Sequence, residues 1–268
     1  MKTLGIIGCG NMGGAMLRRI AASGMMDQKD IIIADKNREL CRRLSSELGV
    51  RAAENNQEAA QADCLLLAVK PQFLPDVMAD ISLCVRETTL ILSIVAGTGT
   101  DMLKSSLLIG DQARIVRIMP NTPALVGEGV LAACRSQNVT QEEWAFAMAL
   151  LTQMGMALEV PERLMDAVTG VSGSSPAFVF LFMEALSDAG VRGGLSRQDA
   201  QKMAAQVMLG CGKLALETGM HPGQLKDMVT SPAGTTIEGV AALEKRGFRG
   251  AVMEAVEAAI EKSKSFHS

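Results

Sequence analysis

Thr3-Leu4-Gly5-Ile6-Ile7-Gly8-Cys9-Gly10-Asn11-Met12-Gly13 is the stretch whose reading decides the fold. Thr3–Ile7 is an apolar run of strand length, and Gly8, Gly10 and Gly13 fall at G-x-G-x-x-G spacing. Met12–Ser23 follows at once with helical periodicity. A glycine turn between a strand and a helix is the arrangement that holds a dinucleotide pyrophosphate. Gly8 then permits the tight turn, Gly10 lets the pyrophosphate approach the backbone, and Gly13 allows close helix–strand packing. Free N–H groups at the helix start, with its positive dipole end, hold the diphosphate, so Cys9, Asn11 and Met12 belong to the same segment. A plain strand-to-helix turn shares the pattern, and the flanking strand and helix are what favour the nucleotide.

Working outward, short apolar runs alternate with amphipathic segments up to about Val160. The strand candidates are Thr3–Ile7, Ile31–Asp35, Cys64–Val69, Thr89–Ile94, Arg114–Met119 and Val130–Ala133, with helical patterns such as Arg38–Leu48 and Gln72–Val85 between them. This alternation predicts an α/β fold, an N-terminal Rossmann doubly wound parallel sheet covered on both faces. Beyond Pro161 the strand pattern stops. Helical periodicity covers Ser174–Gly190, Arg197–Thr218, Gly223–Met228, Thr235–Lys245 and Ala251–Lys264, with Gly219 and Gly247 where helices should end. The expected organisation is a dinucleotide-binding domain over 1–160 and an all-helical substrate and dimerisation domain over 161–268.

Composition excludes several classes. A net charge of −3, with 3% aromatic residues, one Trp and no Tyr, offers neither a nucleic-acid footprint nor a base-stacking platform. The six cysteines, scattered with no CxxC pair, and two histidines, one of them His267, argue against a zinc site or a disulfide framework. Buried reduced thiols and no metal are the expectation. The apolar stretch Ala177–Met183 stops at Glu184, too short for a bilayer, and no secretory leader pattern opens the sequence, so a cytoplasmic location with no membrane partner is expected.

Ligands in such sheets bind at the carboxyl ends of the strands. At the second strand, Asp35 stands where a carboxylate binds a ribose 2′-hydroxyl and favours NAD, yet Lys36 and Arg38 can neutralise the 2′-phosphate of NADP. The residues leave that choice open. Three further loops suit a cofactor groove: Ala68-Val69-Lys70-Pro71, Val95-Ala96-Gly97 and Met119-Pro120-Asn121-Thr122-Pro123, although tight structural turns look similar. In the helical half, Ser172-Gly173-Ser174-Ser175-Pro176 and Thr230-Ser231-Pro232-Ala233-Gly234-Thr235-Thr236 each lead into a helix. Their hydroxyls can cap those helices, and free N–H groups at a helix start can hold a carboxylate. Two such loops beside a Rossmann domain suggest a small anionic substrate.

At these residues the chain resembles the Δ1-pyrroline-5-carboxylate reductases of bacterial type, nearly end to end. GCGNMG (8–13), AVKP (68–71), RIMPNTPA (117–124), TGVSGSSPAFVF (169–180) and HPGQLKDMVTSPAGTTIEGVAALE (221–244) stand where that family has its counterparts. The resemblance implies hydride transfer from NAD(P)H, with NADPH favoured and NADH possible, to L-1-pyrroline-5-carboxylate, giving L-proline as the last step of its biosynthesis. It implies that Thr236 is the catalytic residue, hydrogen-bonding the ring nitrogen. Ser231, Ala233, Gly234 and Thr235 match the loop receiving the substrate carboxylate, and Glu162 and Ser174 are grouped with the substrate residues. Asn56, with residues 35–38, matches the adenine-ribose end of the cofactor site. Many members carry Gly where this chain has Ala233.

The absence of Tyr and scarcity of His disfavour Tyr–Lys and His–Asp acid pairs, whereas a protonated cyclic imine needs positioning more than a strong acid. A β-hydroxyacid dehydrogenase would place a catalytic Lys early in the helical domain, but no Lys occurs between Lys104 and Lys202. Another imine reductase remains an alternative, as does a nucleotide sensor, which has no need of a hydroxyl-lined anion loop. Ser174–Gly190 is apolar on nearly every face and must be buried all round. The helical half is too small to enclose it, so a homodimer is expected, and the resemblance implies further assembly, up to a decamer.

Overall fold

The computed structural model describes residues 2–266, so His267 lies outside the described residues. Eight strands form one sheet in the order β3-β2-β1-β4-β5-β6-β7-β8. They are β1 Leu4–Ile7, β2 Ile31–Ala34, β3 Arg51–Ala52, β4 Cys64–Leu67, β5 Leu90–Ser93, β6 Arg114–Met119, β7 Gly129–Arg135 and β8 Gly155–Glu159. The helices accompanying it are α1 Asn11–Ser23, α2 Arg38–Leu48, α3 Asn56–Ala60, α4 Leu74–Ile81, α5 Thr100–Ser105, α6 Gln141–Leu151 and α7 Met165–Val168. Side chains alternate between two apolar clusters: Leu4, Ile6, Ile31, Ile33 and Leu66 in one, Ile7, Ile32, Leu65 and Leu67 in the other. Both faces are covered, which is why these strands read as unbroken apolar runs.

The sheet is parallel except between β6 and β7, which pair antiparallel. Residues 120–128 between them contain only a 3-10 turn, Thr122–Val126. That link is shorter than the dozen or so residues a parallel crossover needs. Two strands escaped the sequence pattern, β3 because it is two residues long and β8 because its partly exposed GMALE shows no alternation.

The chain divides into two compact units, Met1–Gly173 with Ala259–Ser268, and Ser174–Ala258. Residues 161–173 stay with the sheet, beyond the expected change near 160. Within that segment Glu162 is bonded to Thr100, and the Ser172 carbonyl accepts from Asn121 Nδ2 at 3.1 Å. In the same unit Ser263 Oγ donates to Asp166 Oδ1 at 2.6 Å, and Phe266 packs on Gly97.

The second unit is helical: α8 Ser175–Arg192, α9 Arg197–Thr218, α10 Pro222–Met228, α11 Thr235–Lys245 and α12 Phe248–Lys264, the last running on past the unit's boundary. Gly219 and Gly247, with φ of 63° and 71°, end α9 and α11 as expected. Gly190 lets α8 lie close to Ala200 of α9, and Phe182 meets Phe248 with ring centroids 5.7 Å apart. The serine cap expected before α8 does not form. The chain enters α8 from α7 through a π-helical turn, Thr169–Ser174, so there is no fresh helix start. Ser172 Oγ instead donates back to the Val168 carbonyl at 2.9 Å. The apolar helical segment is therefore longer than Ala177–Met183 suggested: Glu162–Arg192 is long and apolar enough to cross a membrane by length and composition alone, and only 11% of its apolar window is buried within one chain.

Candidate functional site

At the carboxyl edge of β1 the three glycines answer three different needs. Gly8 has φ of 99°, and a Cβ there would lie 2.6 Å from the Ala68 carbonyl oxygen. A Cβ on Gly13 would run into the Gly8 carbonyl. Gly10 has no heavy atom within 4 Å of a Cβ position, so its backbone faces open space. It is also the N-cap of α1 and supplies no side-chain cap, which leaves the first N–H groups of the helix available to an anion. The turn opens on a cavity of about 860 Å3. Of the expected cofactor residues, Gly8, Gly10, Asp35, Lys36, Arg38, Asn56, Ala68, Val69 and Lys70 line it. Cys9, Asn11, Met12, Gly13 and Pro71 belong to its surrounding segments without lining it.

The edge of β2 is tied down in detail. Asp35 Oδ2 accepts the Cys9 N–H at 2.7 Å, and Oδ1 accepts the Asn37 N–H at 2.8 Å. The carboxylate thus fastens the glycine turn to the start of α2, whose N-cap Asn37 accepts from the Leu40 N–H at 3.0 Å. Arg38 Nη1 donates to the Ala53 carbonyl at 2.7 Å. Lys36 Nζ lies 3.7 Å from the centroid of the Phe73 ring. Asn56 Nδ2 donates to Asp80 Oδ2 at 3.0 Å, so its amide is already partnered. Phe73, Asp76 and Asp80 line the cavity but escaped the sequence reading. The aromatic residue just after AVKP was the one available signal.

The other expected loops divide. Val95-Ala96-Gly97 follows β5 but does not line the cavity; Gly97, at φ of 68°, packs against Phe266. The loop after β6 is a structural turn: buried Asn121 accepts the Val130 N–H at 2.9 Å while donating to the Ser172 carbonyl. Glu162 caps α5. Its Oε1 accepts the Thr100 N–H at 2.8 Å, its Oε2 accepts the Thr100 hydroxyl at 2.6 Å, and Arg117 Nη1 lies 3.2 Å away. Burial alone raises the pKa of Glu162, but the Thr100 bonds and the Arg117 guanidinium outweigh it and hold it below the usual carboxylate range. Thr100 and Arg117 carried no signal in the sequence because their partner lies 62 and 45 residues away.

In the second unit, residues 231–234 form a turn closed by the Gly234 N–H on the Ser231 carbonyl at 3.1 Å. Ala233 sits at φ of 55°, the sole described non-glycine residue in the left-handed region. A Cβ on Gly234 would overlap Ser231 Oγ. Gly234 is the N-cap of α11 and supplies no side-chain cap, so N–H groups at the start of an 11-residue helix are unclaimed by any side chain. Thr235 and Thr236, the first residues of that helix, are exposed, whereas Ser174 lies at the entry to α8.

Residues 162–266 match the family model for pyrroline-5-carboxylate reductase dimerisation, and residues 3–97 match that for NADP oxidoreductase, coenzyme F420-dependent. The pyrroline-5-carboxylate reductase of Escherichia coli (strain K12) is 45% identical over 98% of this chain and 97% of its own. The chain belongs to the pyrroline-5-carboxylate reductase family. A solved pyrroline-5-carboxylate reductase from Coxiella burnetii superposes with a TM-score of 0.93 at 31% identity, covering 100% of this chain and 99% of that one. The Plasmodium falciparum pyrroline carboxylate reductase, solved with NADP bound, superposes with a TM-score of 0.87 at 34% identity, covering 100% of this chain and 98% of that one.

Cys9, in the glycine turn, is a buried free thiol. A hydrogen bond with Cys41, reinforced by burial, raises the pKa of Cys9 and keeps its thiol protonated. Burial likewise raises Cys64 and pushes Cys134 up to about 12. Cys211 is exposed and Cys84 partly so, against the expectation that all the thiols are buried. No cluster of three metal-ligating side chains occurs among the described residues.

Proposed function

We propose that this protein reduces L-1-pyrroline-5-carboxylate to L-proline with NADPH, the last step of proline biosynthesis. The observation that carries the reading is end-to-end similarity to reductases of that name, joined to an uncapped glycine turn facing a cavity large enough for a nucleotide. The residues present fit a dinucleotide: the space beside Gly10 is open, and the first N–H groups of α1 are free for a diphosphate. When bound, the dihydronicotinamide supplies the hydride.

The residues of the chain then have two tasks. Gly8–Gly13 hold the diphosphate, while Lys36 and Arg38, at the edge of β2, face the adenosine end with Asn56. The Ser231–Thr235 turn and the open start of α11 receive the substrate carboxylate, as helix N–H groups receive an anion. The Thr236 hydroxyl hydrogen-bonds the ring nitrogen. In the reaction the protonated C=N accepts hydride at carbon, its π pair becomes the nitrogen lone pair, and the ring leaves as the amine. Positioning contributes most of the rate, because the iminium is already a strong electrophile. Within the sheet unit the Glu162 carboxylate is engaged by Thr100 and Arg117.

The helical unit is proposed to pair two copies into a homodimer that assembles further, up to a decamer, in the cytoplasm. Supporting it are the match to a dimerisation model and the exposed apolar side chains of α8. The same pairing accounts for the apolar Glu162–Arg192 run without a membrane. The test is absorbance of NADPH, and separately NADH, with folded protein and pyrroline-5-carboxylate. Oxidation of the nucleotide with formation of proline is expected. No turnover with either nucleotide overturns the reading.

A further inference from the structure

We propose that Lys36 and Phe73 form a latch across the adenosine end of the groove, and that every entering nucleotide meets the cost of opening it while a 2′-phosphate alone offsets that cost. The proposal rests on reading the groove as an NAD(P)H site. Lys36 Nζ lies 3.7 Å from the Phe73 ring centroid, a cation–π contact. β2 and β4 flank β1 on opposite sides. Lys36 follows β2, whereas Phe73 ends the 3-10 turn Pro71–Phe73 that follows β4. A contact between them must therefore pass over the carboxyl edge of β1, where the glycine turn opens. Both residues line the same cavity as Gly8 and Gly10. The contact spans the groove from wall to wall.

The neighbouring charges leave Lys36 as the movable group. Asp35 is held by the Cys9 and Asn37 N–H groups, and Arg38 by the Ala53 carbonyl. Lys36 is exposed and its partner is a ring face, a contact that one side-chain rotation breaks. An entering adenosine has to break it. If the ribose carries a 2′-phosphate, a charge-assisted hydrogen bond to that phosphate replaces the lost contact. If it carries a free hydroxyl, nothing of equal strength does. Lys36 thus acts twice, attracting the phosphorylated nucleotide and, through Phe73, lowering the affinity for any nucleotide that must open the contact; discrimination between the two comes from the phosphate contact alone. Phe73 is the binding residue this adds, one that sets the affinity for both nucleotides and not their ratio.

The experiment measures dissociation constants of NADPH and NADH, by the fluorescence of the reduced nucleotides, on the whole protein. It compares wild type, Phe73→Leu, Lys36→Met and the double variant. Phe73→Leu keeps apolar bulk but loses the ring face, so both nucleotides should bind about two- to fivefold tighter, with their ratio unchanged. Lys36→Met should weaken NADPH by about tenfold or more while tightening NADH by the same factor as Phe73→Leu. The double variant should bind NADH no tighter than either single one, since both remove one contact. NADH binding that is unchanged or weaker in both single variants overturns the latch, while leaving the cofactor reading intact if wild type binds NADPH. A folded wild type that binds neither nucleotide overturns both.

Discussion

The two units are built on opposite terms. In the sheet unit Leu4, Ile6, Ile31, Ile33, Leu65, Leu66 and Leu67 are fully buried, and two apolar clusters seal both faces. In the helical unit the buried residues are Ser187, Ala200 and Ala204, with no large apolar side chain among them. Phe180 and Leu181 on α8 remain 59% and 68% exposed, and Met203, Leu209 and Leu216 on α9 are exposed as well. Burying an apolar side chain of this size contributes about 1.5–3 kcal/mol. One unit therefore supplies its own hydrophobic stabilisation, and the other has to find it in a second copy.

Phe180→Asp should break this comparison most severely. On a monomer, a substitution at so exposed a position would change stability by about 0.5 kcal/mol or less. If α8 is covered by a partner, the charge is buried instead, and sedimentation at low micromolar concentration should show monomers or unfolded chains. Leu66→Ala is the opposite case. It should cost about 2–5 kcal/mol in the sheet unit yet leave the sedimentation of the folded protein unchanged. A stable, active Phe180→Asp dimer would remove the argument for pairing through α8.

Thr236→Val separates the functions of the units. Losing a transition-state hydrogen bond typically costs about ten- to a thousandfold in rate. Turnover should fall by that much while the NADPH dissociation constant, which the proposed function assigns to the glycine turn, stays within error of wild type. Wild-type turnover would leave the hydroxyl no part in the reaction.

The smallest effect is expected from Glu162→Gln in the sheet unit. The folded-state pKa of Glu162 lies below its unfolded value, so the unfolded chain binds the proton more tightly. Its contribution is then present at neutral pH and is lost as pH falls through the depressed pKa. The melting temperature of wild type should exceed that of Glu162→Gln at neutral pH, and the gap should close as the pH falls below the ordinary carboxylate range. A gap independent of pH would assign the difference to packing.

Legibility follows the same division. Six of the eight strands and the glycine turn could be read because sheet burial writes apolar runs into the sequence; β3 was too short and β8 too exposed to leave that mark. The five helices of the second unit were equally legible, since helical periodicity survives whether or not a partner covers it. What did not show were roles set by long-range bonds. Asp35 looks like a ribose ligand in the sequence, and only the fold reveals that Cys9 and Asn37 hold its carboxylate. Glu162 matched a substrate position by resemblance, while Thr100 and Arg117, remote in sequence, engage it in the fold. The serines before α8 looked like caps because a π-helical entry has no distinctive composition.

The sheet unit is discontinuous in the chain: residues 174–258 intervene before Ala259 onward rejoin it. Ribosomal synthesis runs in one direction, and N-terminal parts begin to fold first. The strands can therefore assemble early, but Asp166 meets Ser263, and Gly97 meets Phe266, only after the whole helical unit has been translated. The loop beyond β5 is the last part of the sheet unit to receive its packing partner, so the nascent chain finishes this unit only once the helices that await a second copy are already outside the ribosome.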